Sequence, residues 1–304
     1  MSAQYQTITT GQTALAQAKD LLQRVRTKED FRYIDGYIEY INYLIKAGLL
    51  AADDIEKLKQ AWSPDFLNNT IQGFGLRKPY GYAGDFMIID KIYRKEVSSI
   101  PRFKIWDEYF HEQAAPIAVR NRKDYFISQL KRVTSKTPIS LLNVASGPCR
   151  DLLELYTVIS NHDAVSTTCV EMDPNAVEYA ESVLGKFKNN VEFVNKNIFK
   201  YSPTETYDVI WSAGLFDYFD DRAFRLLLKK FKSWVKPNGE IIIGNFNQDH
   251  NPSRAYMEIF GEWSLIHRTE RQLIQLALDA GYNQEQITVG HEKQNVNLFL
   301  HINI

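Results

Sequence analysis

Two hydrophobic textures divide the chain. Before Pro138, apolar residues recur every three to four positions. Ala14, Leu15, Ala18, Leu21, Leu22 and Val25 form one such stripe, and Ile34, Tyr37, Ile38, Ile41, Leu44 and Ile45 form another. This period predicts amphipathic helices. A short helix is expected from Asp53 and Asp54 toward Trp62, and further helices over 87–95, 101–114 and 117–133. The stretch RKPYGYAGDF (77–86), with one proline and two glycines, reads as a loop. After Pro138 short apolar runs alternate with helical stretches. Strands are expected near 139–145, 166–171, 191–194, 207–212, 239–246, 285–290 and 295–303, and helices near 149–160, 174–186, 221–235 and 268–280. Alternation of this kind predicts a mostly parallel sheet with helices on both faces. The last two strands are joined only by HEKQ (291–294), which permits an antiparallel hairpin but no parallel crossover. The expected organisation is a helical cap over 1–135 followed by an α/β domain over 136–304.

Composition narrows the function classes. Hydrophobic residues are 44% and charged residues 24% of 304, ordinary values for a globular protein. The net charge is −1 with no long basic run, so nucleic acid is not the expected partner. Cys149 and Cys169 make neither a disulfide framework nor a CxxC pair, and the six histidines lack zinc-site spacing, so no metal is expected. The N-terminal MSAQYQTITTGQ is too polar for a secretory leader. No apolar run approaches the roughly 20 residues that span a bilayer. A cytoplasmic enzyme is the expectation.

Three segments carry candidate ligand chemistry. LLNVASGPC (141–149) runs from a strand through a turn of small residues into a helix. Ala145, Ser146 and Gly147 let a ligand approach the backbone, and the helix N-terminus offers free N–H groups to a carboxylate. The pattern GxGxxG is absent, which disfavours a dinucleotide site. Glu171 ends the second strand in CVEMDPNAVEYA (169–180), twenty-four positions beyond Gly147. A carboxylate there can accept both ribose hydroxyls of a nucleotide, and Met172 can pack on a purine. Asp173 with Pro174 also suits a helix cap. In YDVIWSAGLFDYFDD (207–221), Ser212 and Ala213 end a strand, and ligands in open α/β sheets bind beyond the carboxyl ends of strands.

The ordered set resembles the class I S-adenosylmethionine-dependent methyltransferases over about 140–304. More narrowly, RKPYGYAGDF, ASGPCRDL, SAGLFDYF and RAYMEIFGEWSLIHRTE (254–270) resemble a bacterial group labelled extracellular-factor (3-hydroxypalmitate methyl ester) biosynthesis proteins, from about residue 70 onward. The resemblance implies a Rossmann-like, mostly parallel seven-stranded sheet with an antiparallel terminal hairpin. It implies S-adenosylmethionine as cofactor and methylation of a small molecule, an acyl carboxylate being the acceptor that the narrower group suggests. Ala145, Gly147 and Cys149 stand where three glycines are usual. Asn197 and Ile198, in VEFVNKNIFKY (191–201), stand where related enzymes carry a polar residue beside the adenine amino group and an apolar wall.

The remaining candidates lie toward the acceptor. Tyr82 is expected over the cofactor, with Tyr80 and Asp85 toward the substrate, if 77–86 is a lid; a structural loop is the alternative. Arg120 is the candidate for the methionine carboxylate, with Arg122 as the other choice, since two positions apart on a helix they point differently. Tyr256 and Trp263, with Met257, Phe260 and His267, either wall an acceptor pocket or form a core-facing stripe. The expected pocket is enclosed between cap and sheet. Asp217, Tyr218 and His267 are the candidate general bases for a phenol, alcohol or amine, whereas a carboxylate needs none. A protein or RNA methyltransferase and a non-catalytic cofactor-binding protein are the competing readings, and a homodimer is left open.

Overall fold

A computed structural model describes residues 10–134 and 138–304. Most of the N-terminal segment read as lacking a leader, and the boundary read between 135 and 136, lie outside the described residues. The helices α1 (Thr10–Arg24), α2 (Phe31–Lys46), α3 (Ala52–Leu58), α4 (Pro64–Asn69), α5 (Ile71–Arg77), α6 (Phe86–Arg94) and α7 (Pro101–Glu112) come first. Those up to α5, with α7 and residues 252–264, pack as one unit; residues 89–94, 114–251 and 265–304 pack as a second. No helix among the described residues is long and apolar enough to cross a membrane.

In the helical unit the stripes read from the sequence are buried: Ala14, Ala18 and Leu21 on α1, and Ile34, Tyr37, Ile38, Ile41 and Leu44 on α2. The Tyr37 hydroxyl donates to the Ala14 carbonyl at 2.8 Å, so the polar tip of a core tyrosine is satisfied. The break between α4 and α5 turns on Thr70. Its hydroxyl donates to the Phe66 carbonyl and accepts the Gly73 N–H. A Cβ on Gly73 would stand 2.4 Å from the Leu67 backbone, so only glycine permits this approach. Residues 256–260 wind as a single π-helical turn, Tyr256–Phe260. This turn and the helices α4 and α5 go beyond the sequence reading, being too short to show a period.

The second unit opens with α8 (Ala114–Thr134). It continues through β1 (Ile139–Val144), α9 (Arg150–Val158), β2 (Val165–Glu171), α10 (Pro174–Leu184), β3 (Val191–Asn195), β4 (Tyr207–Ser212), α11 (Asp221–Trp234) and β5 (Val235–Phe246). It closes with α12 (Glu270–Asp279), β6 (Ile287–His291) and β7 (Asn297–Asn303). The seven strands lie in the order β3-β2-β1-β4-β5-β7-β6. The first five are parallel, and β7 runs antiparallel between β5 and β6. The expected sheet and terminal hairpin are therefore present.

Strand alternation feeds two cores. Leu142, Val144, Ile210, Ile241 and Ile243 pack with Phe224, Leu227, Phe231 and Leu273 of α11 and α12. Leu141, Val209, Trp211 and Ile242 face the other way, onto Phe126 and Leu130 of α8 and Leu152 and Leu155 of α9. β5 begins earlier than the sequence suggests, because the KPNG stretch is absorbed as an irregularity: Tyr207 pairs with Val235, and Val209 with Glu240.

Candidate functional site

The carboxyl ends of β1, β2 and β4 converge on the turn 145–149. Ala145, Gly147 and Cys149 all take left-handed φ, at 54°, 54° and 53°. That conformation costs nothing at Gly147 but about 1 kcal/mol or more at a residue with a Cβ. The backbone thus keeps a glycine-type turn where two of three glycines are missing. A Cβ built on Gly147 would meet no atom within 4 Å, so the turn opens onto space there. The Ala145 N–H is held by the Val170 carbonyl at 2.8 Å, and the Ser212 hydroxyl donates to the Val144 carbonyl at 3.1 Å. Ser146 Oγ and Asn143 Nδ2 are buried and have no hydrogen-bond partner among the described residues. Buried polar atoms rarely go without a partner, and Ser146, in the turn itself, could meet a polar group of a ligand seated there.

Glu171 faces this turn. Its carboxylate accepts the Gly147 N–H at 3.0 Å, the Met172 N–H at 2.7 Å and the Asp173 N–H at 3.0 Å. Burial pushes its carboxyl above the usual range, and these three N–H groups hold it down in part. Asp173 caps α10 by accepting the Asn175 N–H, with Pro174 in the first turn. Met172 is 64% exposed, unusual for a thioether and suited to a flat apolar ligand. Asn197 Nδ2 lies 3.4 Å from Met172 Sδ, while Asn197 Oδ1 accepts the Phe199 N–H, and Ile198 is buried beside it. The structure thus gathers Ala145, Ser146, Gly147, Glu171, Met172, Asn197 and Ile198 at one end of the sheet.

At the end of β4, after Ser212 and Ala213, the guanidinium of Arg122 lies against Gly214, where a Cβ would approach Nη1 to 3.1 Å. Arg122, on α8, is buried, and its Nε donates to the Tyr93 hydroxyl at 3.4 Å. Burial works against its charge, but Tyr93, Asp217 and Asp151 outweigh it and keep it protonated. Arg122 thus stands at the end of β4, and Arg120, two positions earlier on α8, is half-buried. Burial raises Asp151 to about 6 and Asp217 to about 7, against the pull of nearby cations.

The candidate bases are differently placed. Asp217 Oδ1 accepts the Phe246 N–H at 2.7 Å, and its backbone carbonyl accepts the Ile266 N–H. His267 is buried with both ring nitrogens engaged. Nδ1 faces the Leu265 carbonyl at 3.1 Å and so carries the proton, leaving Nε2 to accept from the Asn251 amide at 3.0 Å. Tyr218 is partly exposed.

The remaining candidates sit in the helical unit. Asp85 accepts the Ile88 N–H at 2.8 Å and so caps α6. Tyr80 packs on Phe86 at 4.5 Å between ring centroids, and Tyr82 is exposed. Tyr256 is an interior residue: its hydroxyl donates to Gln72 at 2.8 Å, its ring packs on Tyr109 and Phe110, and burial pushes its phenol well up. The Trp263 backbone N–H is taken by the Met257 carbonyl.

Two hubs escape sequence reading. Arg268 donates to the Phe216 carbonyl, Asn245 and Asp221, tying the end of β4 to β5. Asp90 pairs with Arg150 and Tyr179. Partners 23 to 89 positions apart leave no local pattern.

Residues 141–239, from β1 to the irregular start of β5, match the family model of a methyltransferase domain. This stretch is similar in sequence to methyltransferase domains, a likeness that implies S-adenosylmethionine as cofactor. The residues fit that cofactor, with an open glycine-type turn, orphaned polar atoms and a strand-end glutamate. No curated protein matches the sequence. Among solved structures, a "possible exported protein" from Bordetella parapertussis matches with a TM-score of 0.63 and 16% identity, over 100% of this chain and 99% of its own. The pyocyanin biosynthetic protein PhzM matches with 0.51 and 12%, over 76% of this chain and 64% of its own. Magnesium protoporphyrin IX methyltransferase from Synechocystis PCC 6803, with bound SAH, matches with 0.50 and 10%, over 62% and 84%. These likenesses are of fold.

Proposed function

We propose that this methyltransferase domain methylates a small molecule, and that the acceptor is an acyl carboxylate converted to its methyl ester. S-adenosylmethionine supplies a methyl group already activated by its sulfonium. Glu171 would hold the ribose hydroxyls, Met172, Asn197 and Ile198 the adenine, and Ala145, Ser146, Gly147, Ser212, Ala213 and Arg122 the methionine end. A guanidinium suits a carboxylate through paired N–H donors.

The observation that carries the acceptor class is the state of the candidate bases. His267 has both nitrogens engaged, and Asp217 is buried with one oxygen on the Phe246 N–H. An alcohol or amine acceptor would need a proton removed; with His267 engaged, that leaves buried Asp217, raised to about 7, and exposed Tyr218 as the groups such an acceptor would have to use. A free carboxylic acid titrates at about pH 4 to 5 and so arrives ionised at neutral pH. The resemblance of RKPYGYAGDF and SAGLFDYF to the 3-hydroxypalmitate methyl ester group points the same way.

Calorimetry with S-adenosylhomocysteine and NAD tests the cofactor reading; binding of NAD alone overturns it. Incubation with 3-hydroxypalmitic acid and methyl-labelled cofactor tests the acceptor, and mass spectrometry should find the methyl ester. Label transferred only to an amine or phenol in an acceptor panel overturns the carboxylate reading and leaves the cofactor reading standing.

A further inference from the structure

The two turns that face each other across Gly147 and Glu171 are each followed by a helix, α9 and α10. Behind the turns, one carboxylate joins those helices. Asp90, on α6, is fully buried. Its Oδ1 accepts from Arg150 Nε at 2.7 Å, and its Oδ2 from Arg150 Nη2 at 2.9 Å. Oδ2 also accepts from the Tyr179 hydroxyl at 2.7 Å, and Arg94 Nη1 stands 3.6 Å away. Arg150 is the first residue of α9, directly after the left-handed turn. Tyr179 lies on α10, eight positions beyond Glu171.

We propose that Asp90 is a positioning residue for the cofactor site, fixing the 145–149 turn relative to Glu171 by clamping the helices that follow them. The proposal rests on the cofactor reading for its effect on affinity, but not for its effect on the turns. The physical argument is geometric. At the front, the 145–149 turn meets the end of β2 through two backbone donors, Ala145 to the Val170 carbonyl and Gly147 to the Glu171 carboxylate. These bonds fix the turn against the strand end, and apolar packing of Leu152 and Leu155 with Ala180 and Leu184 joins the helices, but neither is as directional as a paired ionic contact. The bidentate Arg150 pair fixes orientation as well, because both groups are planar. Tyr179, sharing Oδ2, extends the constraint to α10. Asp90 is buried and Arg150 only partly exposed, so removing the carboxylate charge leaves Arg150 without its counter-ion and Tyr179 with a weaker acceptor. The strain at Ala145 and Cys149 adds a reason for a clamp, since an unheld turn would relax toward ordinary φ.

The test compares Asp90→Asn and Tyr179→Phe with the parent chain. Two measurements are made: S-adenosylhomocysteine affinity by calorimetry, and amide exchange without cofactor over residues 145–152, 171–180 and, as control, 241–245 of β5. In Asp90→Asn, affinity should fall about tenfold. Exchange in both turns should quicken well beyond that in β5, and the melting temperature should fall, as the loss of a buried counter-ion requires. Tyr179→Phe should give the same pattern at about threefold, and it decides the matter if Asp90→Asn does not fold. A folded variant with unchanged exchange in both turns overturns the proposal, as does a uniform quickening that includes β5, which would mark a merely structural ion pair. If the parent chain fails to bind S-adenosylhomocysteine, the cofactor reading falls, and the exchange measurement still decides the role of Asp90.

Discussion

Glu171 and Asp217 are both carboxylates in largely dry surroundings, yet they stand in opposite relations to their neighbours. Glu171 gathers three backbone N–H groups and faces an open turn. Its exchange for alanine should weaken S-adenosylhomocysteine binding by roughly tenfold to a hundredfold, the effect of losing hydrogen bonds to a charged group, about 1.5–3 kcal/mol. Calorimetry checks this, with circular dichroism to show the fold retained; an unchanged affinity would remove Glu171 from the site. Asp217 instead has its carboxyl raised by burial from 3.8 to about 7. Between about pH 4 and 7 the unfolded chain gives up that proton while the folded chain keeps it. The contribution of Asp217 to stability is therefore full below the unfolded value, falls as pH rises through this window, and is flat above it. Asp217→Asn can still accept the Phe246 N–H but cannot titrate. Its melting temperature relative to the parent should be higher at pH 8 than at pH 5, and a difference independent of pH would show that Asp217 ionises normally.

At the scale of elements, the turn between β1 and α9 separates what conformation requires from what composition offers. Three left-handed residues in alternation make the turn, and only one of them is glycine. Gly147→Ala should cost little stability, about 1 kcal/mol, because the new methyl meets no protein atom and only the left-handed φ is strained. The same methyl projects into the space the cofactor is proposed to fill. Affinity for S-adenosylhomocysteine should therefore fall more than stability does; thermal melts alongside calorimetry would separate the two, and an equal affinity would place the cofactor elsewhere. The sheet itself was legible in the sequence because each strand carries its own apolar run and three of the four parallel crossovers carry a helix, α9, α10 and α11. The Glu171 end of β2 was legible through its distance from the small-residue turn. The left-handed φ of Ala145 and Cys149 was not, since neither residue type asks for it. The π-helical turn at 256–260 was not legible either: its aromatics suit a pocket wall as well as a core, and only packing on Tyr109 and Phe110 decides for Tyr256. Arg268 and Asp90 were missed because their partners are distant in sequence and scattered over several elements.

Over the whole molecule, the inventory of proton acceptors constrains the chemistry more than any single residue. The net charge of −1 offers no general attraction for polyanions. In the second unit, His267 is buried with both ring nitrogens engaged. The titrating carboxyls, Asp151 near 6 and Asp217 near 7, are both buried and lie within the electrostatic reach of Arg122. If the acceptor is a carboxylate, it is already nucleophilic above about pH 5, and no protein group has to lose a proton as the methyl moves. The catalytic task is then positioning and exclusion of water. The rate of ester formation under single-turnover conditions should accordingly change by less than about twofold between pH 6 and 9, since one full unit of titration on a required base would change it about tenfold. Asp217→Asn should keep most of that rate, with any loss following cofactor affinity. An acceptor needing a base predicts a different profile, climbing through about pH 7 where Asp217 ionises and abolished in Asp217→Asn. A climbing profile lost in that variant would make Asp217 the base, remove the argument for a carboxylate, and direct the search to alcohols and amines.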